Sequence, residues 1–505
     1  MTIQAHEFVL RPRTGLPRSS RAPLGLGGTG PGETAMLSSV EQHGITWYFD
    51  QEYPVGKFVT GDWWVVGPVE VVKINPGSYL NSDGRVKNGS MLDPIVSNLH
   101  GFDSYPGRPA DNYRSELNVA HGISSGSPLA LSSGSSLVST ISHDSPSDTT
   151  RPSRIGAVLT VLDAQPPANS FRPPYVQGDK TVQYTTADVR SDLLPSLSRA
   201  SISVPAPQAP TRVHFDHGRN WTRGHTIPTE NNSNYGRDVA HRFDQFFGTL
   251  ISDFPLSEKE PLLHWMVQAG IDLYGIADWS IKNGISPWSP DGGWSHGRKM
   301  PIVFAGYMLN NTDMLKITHR AGGCFFQEDA MYDYVGQGDI DATNSDNWRP
   351  IYPNRGTPQP YSQDMLGMPE WLASRCRHNP ERKFEGRSDW GGHPYRGANI
   401  FVHHMAALGM LAMGLKEQWG EDAFFDFAHR FVAVMEGSID PFGVGKYGSV
   451  SGVPGEDGAE GWRQWWHSKW RYEMFKAHWA SYYPRGAERN ADTKAAPLEP
   501  ILRVE

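Results

Sequence analysis

The spacing of apolar residues changes once along the chain, and that change divides it. Between residues 41 and 165 the apolar side chains fall in short β-prone runs: Ile45–Phe49, Trp63–Val66, Val69–Ile74, Ser136–Ile141 and Ile155–Leu162. β-Branched and aromatic residues fill these runs, and Gly, Pro, Asn and Asp clusters separate them, which predicts an antiparallel β-sandwich. From Asp238 the period lengthens to about 3.6 residues, as in helices that bury one face. It predicts helices over Val239–Ile251, Leu262–Lys282, Ile302–Leu309, Thr312–His319, Pro369–Arg375, Ala398–Trp419, Asp422–Met435 and Gly461–Tyr482. Ser257 and Glu260 have capping-box spacing ahead of the second. Helices alternating with short turns and long Gly-rich loops fit an α/α toroid-like domain, with an irregular bundle as the alternative.

The expected fold class is therefore α+β and multidomain, an N-terminal sandwich followed by a C-terminal toroid-like domain. Residues 1–40 read as a Gly/Pro/Arg/Ser-rich irregular arm, 41–165 as the sandwich and 166–212 as a Pro/Ser-rich linker. Residues 213–485 read as the toroid-like catalytic domain and 486–505 as a tail.

Composition narrows the function. The 505 residues include 17 Trp, and such flat apolar faces suit the C–H faces of sugar rings, although Trp also fills large cores. A net charge of −8 supplies no global field for nucleic acid. Cys324 and Cys376 are the two cysteines, so neither a disulfide framework nor a zinc-type spacing is implied. Met1–Glu7 lacks a charged start leading into an apolar run, so no secretory signal is expected. No run of about 18 apolar residues suggests a membrane span. Cytoplasmic, non-classically exported and virion-associated locations stay open, as does the oligomeric state.

Three polar-aromatic stretches carry candidate chemistry. The first, Asp291–Pro301, places Trp294, His296, Arg298 and Lys299 among three glycines between two helices, and reads as one lip of a cleft. The second, Asp216–His225, with Asn231–Arg237 after it, gathers His214, His217, Arg219, Asn220, Trp221, His225, Asn234, Tyr235 and Arg237. Uronate β-elimination needs such a set. An Asn or Arg neutralises the carboxylate, a His or Tyr removes the acidified C–H proton, and a Tyr or His protonates the leaving oxygen. The third, Glu385–Arg396, offers His393, Tyr395 and Arg396 before a helix, as substrate-binding candidates. Separately, Glu328, Asp329, Tyr332 and Asp333 could line a sugar site. Glu328 or Asp329 paired with Asp291 or Asp333 would give a hydrolase its two carboxyl groups; a solvated or calcium-type acidic loop is the other reading.

The pattern His225-(nine residues)-Tyr235-Gly, just before a helix, resembles the His…Tyr-Gly segment of the chondroitin AC and hyaluronate lyases. The resemblance covers about thirty residues, and implies an α/α toroid with β domains. By this resemblance Asn220 or Asn234 would hold the carboxylate, His225 would be a base, Tyr235 the base or acid, and Arg298 or Arg237 the arginine. In those lyases the helical domain precedes the sheets, whereas here the order is reversed. The chain also resembles an uncharacterised bacterial family that joins an N-terminal sandwich to a helical domain of this kind.

The expected function is therefore a polysaccharide lyase acting on a uronic-acid glycan, with catalytic candidates His225, Tyr235, Arg298 and Asn220. The substrate-binding candidates are His217, Arg219, Trp221, Arg237, Trp294, His296, Glu328, Asp329, Tyr332, His393, Tyr395 and Arg396. The alternatives are a glycoside hydrolase and a non-catalytic carbohydrate-binding or virion structural protein. No cofactor or metal is expected. The adjacent His403 and His404 point different ways on a helix, one buried and one exposed. No His-Glu-x-x-His, P-loop, Rossmann glycine motif or serine nucleophile elbow occurs.

Overall fold

The computed structural model describes residues 33–94, 99–104, 112–144, 153–216, 228–233, 235–288, 290, 292–321, 325–347, 360–371, 402–435 and 469–483. A curled β-sheet region comes first and a helical region follows. The strands are β1 (Ala35–Gln42), β2 (Ile45–Lys57), β3 (Trp63–Val66), β4 (Val69–Asn75), β5 (Tyr79–Leu80), β6 (Val86–Lys87), β7 (Ser90–Leu92), β8 (Leu129–Leu131), β9 (Ser135–Ser142) and β10 (Ser153–Leu162). Eight of them join one sheet in the order β7-β9-β10-β3-β2-β4-β8, with β1 also on β2, while β5 pairs with β6. The five β-prone runs of the sequence all lie in these strands.

The long strand β2 explains the curl. It pairs with β1 along one edge. Its other edge is shared end to end by β4, from Thr46 to Phe49, and β3, from Val55 to Lys57. The ladders are antiparallel except where Leu159–Leu162 of β10 runs parallel to Trp63–Val66. β10 is apolar without alternation because both its faces are covered. Leu159 and Val161 pack with Trp47 and Val65. Val158 belongs with Tyr175 and Phe215 to a core continuous with the helices.

Strand β1 corrects the boundary of the expected arm, since Ala35–Gln42 is ordered sheet. Its Ser, Glu and Gln are poor strand formers, but pairing with β2 overrides propensity. His43 and Gly44, both at positive φ, make the two-residue turn that joins them.

Among the described residues there are eleven helices: α1 (Gly236–Leu250), α2 (Leu256–Lys282), α3 (Lys299–Met308), α4 (Thr312–Leu315), α5 (Ile317–Ala321), α6 (Gln327–Ala330), α7 (Gln337–Thr343), α8 (His404–Ala412), α9 (Lys416–Trp419), α10 (Asp422–Met435) and α11 (Lys469–Tyr482). Two short strands, β11 (Tyr332–Tyr334) and β12 (Pro369–Trp371), pair antiparallel between them. The helix expected from Pro369 is thus a strand as far as Trp371, where Trp371 and Tyr332 are both buried; its remainder lies outside the described residues. The long helix expected over Ala398–Trp419 is two helices, because Gly414 at φ +70° ends α8. Helix α2 begins at Leu256 with Pro255 at its N-cap, so Ser257 sits inside the helix and does not cap it. The helix over Thr312–His319 is split into α4 and α5 at Lys316.

The segment between the two regions is threaded through the core. Phe171, Tyr175, Val176, Leu197 and Val204 are buried with the helical residues. Arg172 is fully buried and pins the regions together. Its Nε donates to Asp62 of the β2–β3 turn at 3.1 Å and its Nη2 to Asp272 of α2 at 2.7 Å. Gln268 clasps the backbone of Arg172 from both sides, at 2.8 and 3.0 Å. Burial alone would lower the Arg172 pKa, but Asp272 and Asp62 overcome it and keep the guanidinium charged. One cation serves two carboxylates, so burial, with Asp62 beside it, pushes Asp272 up to about 7 against the pull of Arg172.

Candidate functional site

The loop between α2 and α3 is locked by two close approaches. A Cβ on Gly236 would lie 1.8 Å from the Trp294 carbonyl oxygen, and one on Gly297 would lie 2.4 Å from Ala240 Cα. Only glycine lets the loop backbone press against α1 this closely. The interlock seats Tyr235 and Arg237, at the start of α1, next to Trp294. All three are half-buried. The Arg237 guanidinium carbon lies 5.8 Å from the Tyr235 ring centre, while its nitrogens pair with Asp238 at 2.7 and 2.8 Å. Gly236→Ala is expected to destabilise the chain by roughly 2–4 kcal/mol, since a backbone clash outweighs the gain of about 1 kcal/mol that alanine brings to a helix. Urea denaturation checks this, and an unchanged midpoint would contradict it.

Beneath this rim lies a buried polar layer. His296 donates or accepts through both ring nitrogens, to His403 at 2.9 Å and Gln327 at 2.8 Å. The Gln327 carboxamide oxygen accepts from the Ser295 N–H at 2.8 Å and its nitrogen donates to the Gly292 carbonyl. With that amide nitrogen as donor, His296 carries its proton on Nδ1 and passes a hydrogen bond to His403. Burial, then the charges of His403 and Arg298, holds the His296 pKa well below the usual histidine value. Burial takes His403 down to about 3. Both imidazoles are therefore neutral near pH 7.

The two adjacent acids of α6 have separate environments. Asp329 is paired with Lys299, which also lies 4.2 Å from the Trp419 ring centre. Glu328 accepts from the Gly297 N–H through one oxygen. Its other oxygen is buried and makes no hydrogen bond among the described residues. Burial chiefly, with Asp329 adding, raises Glu328 to about 7. Tyr332 stands edge-on to His403, with ring centres 5.9 Å apart, and burial, then Glu328 and Asp244, holds its hydroxyl protonated.

Several expectations are corrected here. The stretch read as one lip of a cleft is enclosed from Ser295 to Lys299, with His296 and Lys299 at 0% exposure. Arg298 turns inward, donating to Asp216 at 3.0 Å and to the His296 carbonyl at 2.6 Å. Its described contacts fix the loop. Glu328 and Asp329 are buried, so they do not form a solvated acidic loop. His403 and His404 are both buried, because α8 starts at this point and packs on every side. Trp47, Trp64, Trp371 and Trp419 are core fillers. Among the described residues no group of three or more His, Cys, Asp or Glu is arranged to hold a metal.

The structure brings Tyr235, Arg237, Trp294, His296, Arg298, Glu328, Asp329 and Tyr332 around one loop. His217, Arg219, Asn220, Trp221, His225, Asn234, Asp291, His393, Tyr395 and Arg396 lie outside the described residues. Sequence reasoning left out Gln327, His403 and Asp216 as members of the layer. Asp216 collects Arg298, the Trp288 indole N–H at 3.2 Å and His214 at 3.8 Å. No local pattern marks these three, since their partners other than His214 are 31 to 107 residues away. No family model, no curated protein and no solved structure matches the chain.

Proposed function

We propose that the chain is a polysaccharide-degrading enzyme that cleaves a uronic-acid-containing glycan by β-elimination at the rim of Tyr235, Arg237 and Trp294. The observation that carries this reading is the Gly236–Trp294 interlock, which brings the Trp294 backbone against the start of α1, where the Arg237 guanidinium lies over the Tyr235 ring. On this reading Trp294 stacks on a sugar ring and Arg237 faces the uronate carboxylate, which acidifies the C5 proton. Tyr235, working with the expected base His225, serves the proton transfers. The C5–H bond breaks, a C4–C5 double bond forms, and the C4–O bond cleaves with its oxygen protonated. The helices belong to a toroid-like ring with this rim at one mouth, and the curled sheet is a sandwich-type companion. Tyr235→Phe is expected to lower kcat by at least about a hundredfold with KM changed far less, followed by the ultraviolet absorbance of the unsaturated uronate. Wild-type turnover by that variant would remove Tyr235 from the chemistry.

A second reading, glycoside hydrolysis, is favoured by one observation: Glu328, raised by burial to about 7 and with one oxygen that makes no hydrogen bond among the described residues, has the ionisation of a general acid. Its enclosure beneath Gly297, and the Lys299 clasp on Asp329, weigh against contact with substrate. Binding of glycans without turnover would instead favour the non-catalytic reading.

A further inference from the structure

A concavity lies along α2 and is lined by none of the residues of the polar layer. It holds about 220 Å³. One wall is a stripe of α2 spaced at three and four residues, including Tyr274 and Trp279. Pro173, Pro174, Tyr184 and the buried Met314 complete the lining. Tyr184, Tyr274 and Trp279 are half-buried, so their rings are partly open to solvent. Amide and hydroxyl groups of Gln177, Thr181 and Gln183 stand at the exposed rim.

The charges at this pocket compensate one another. Asp278 is bridged by Lys282 at 2.6 Å and by Arg320 at 2.6 Å. Arg320 also donates to the Tyr274 hydroxyl at 2.9 Å. Arg172, at the inner end, is committed to Asp62 and Asp272. Asp179 binds the Thr181 hydroxyl at 2.6 Å. Each described cation at the pocket is thus engaged by a carboxylate, and among the described residues none is left over for an incoming carboxylate or phosphate. A neutral ligand with one apolar face and hydroxyls at its edge matches such a wall and rim. The volume falls below the roughly 300–1,000 Å³ of drug-sized sites and is suited to a single ring.

We infer that this pocket is a binding subsite for one neutral sugar residue, stacked on Trp279 and Tyr274 with its hydroxyls at the Gln177–Gln183 rim. The inference rests on this pocket's own geometry and stands apart from the elimination chemistry. The test is calorimetric titration of the full chain with neutral methyl glycosides and short neutral oligosaccharides, with the matching uronates in parallel. Neutral sugars are expected to bind and uronates to bind more weakly. Trp279→Ala is expected to weaken binding by at least about tenfold, the equivalent of one lost stacking contact. Gln183→Trp, an exposed substitution that fills the mouth without touching the core, is expected to do the same, which covers a Trp279→Ala chain that fails to fold. Tyr235→Phe is expected to bind as the wild type does. No binding by any neutral sugar, preference for uronates, or binding undiminished in Gln183→Trp would overturn the assignment.

Discussion

Glu328→Gln is expected to raise stability at pH 8 by roughly 1–3 kcal/mol while leaving turnover within a few fold of wild type. The wild-type carboxyl moves from 4.5 to about 7 on folding. Between those values the folded chain keeps a proton that the unfolded chain releases. The stabilisation is complete below pH 4.5 and is lost as pH rises through about 7. At about 1.4 kcal/mol per pKa unit the span is about 3 kcal/mol. Glutamine cannot ionise, but its NH₂ group replaces an oxygen without a described partner, which returns about 1 kcal/mol. The gain should therefore shrink or reverse at pH 5. Depressed histidines act in the opposite sense. His403, at about 3 when folded, stabilises fully above 6.5, and its contribution is lost as pH falls below that value. Urea denaturation at pH 5, 6 and 8 separates the two. An equal effect at every pH would contradict the burial argument, and abolished turnover would favour hydrolysis with Glu328 as acid.

Arg172→Met is expected to cost about 3–5 kcal/mol, because it leaves two buried carboxylates without their cation. Asp62 and Asp272 are both almost fully enclosed. The loss should ease as pH falls, since Asp272, already raised by burial, would then take up a proton. Adding Asp62→Asn and Asp272→Asn should recover most of it, because a well-packed neutral set avoids the desolvation of three charges. Denaturant midpoints of the single and triple variants decide this. A cost below about 1 kcal/mol for the single variant would show that the pin between sheet and helices contributes little.

The strands were legible because their runs of Val, Ile and Trp need no distant information to be recognised. Trp63–Val66 and Ile155–Leu162 carry their own pattern. The early strand Ala35–Gln42 was not, since its sheet character comes from pairing with β2. Pro369–Trp371 misled for the same reason: a proline followed by Glu and Trp suits a helix start, while pairing with Tyr332–Tyr334 makes it a strand. At the site, the residue types in the loop before α3 were evident, but their direction was not. Whether Arg298 faces solvent or Asp216 depends on a partner 82 residues away. Likewise the separation of Glu328 from Asp329 depends on Gly297 and Lys299, which no local spacing reveals.

The mass of the products tests the central claim most directly. Wild-type protein incubated with a panel of uronic-acid polysaccharides should release oligosaccharides whose non-reducing ends are unsaturated, each lighter by one water than the hydrolytic fragment. Fragments carrying the full added water, from any acidic or neutral glycan, would contradict elimination at the Tyr235 rim.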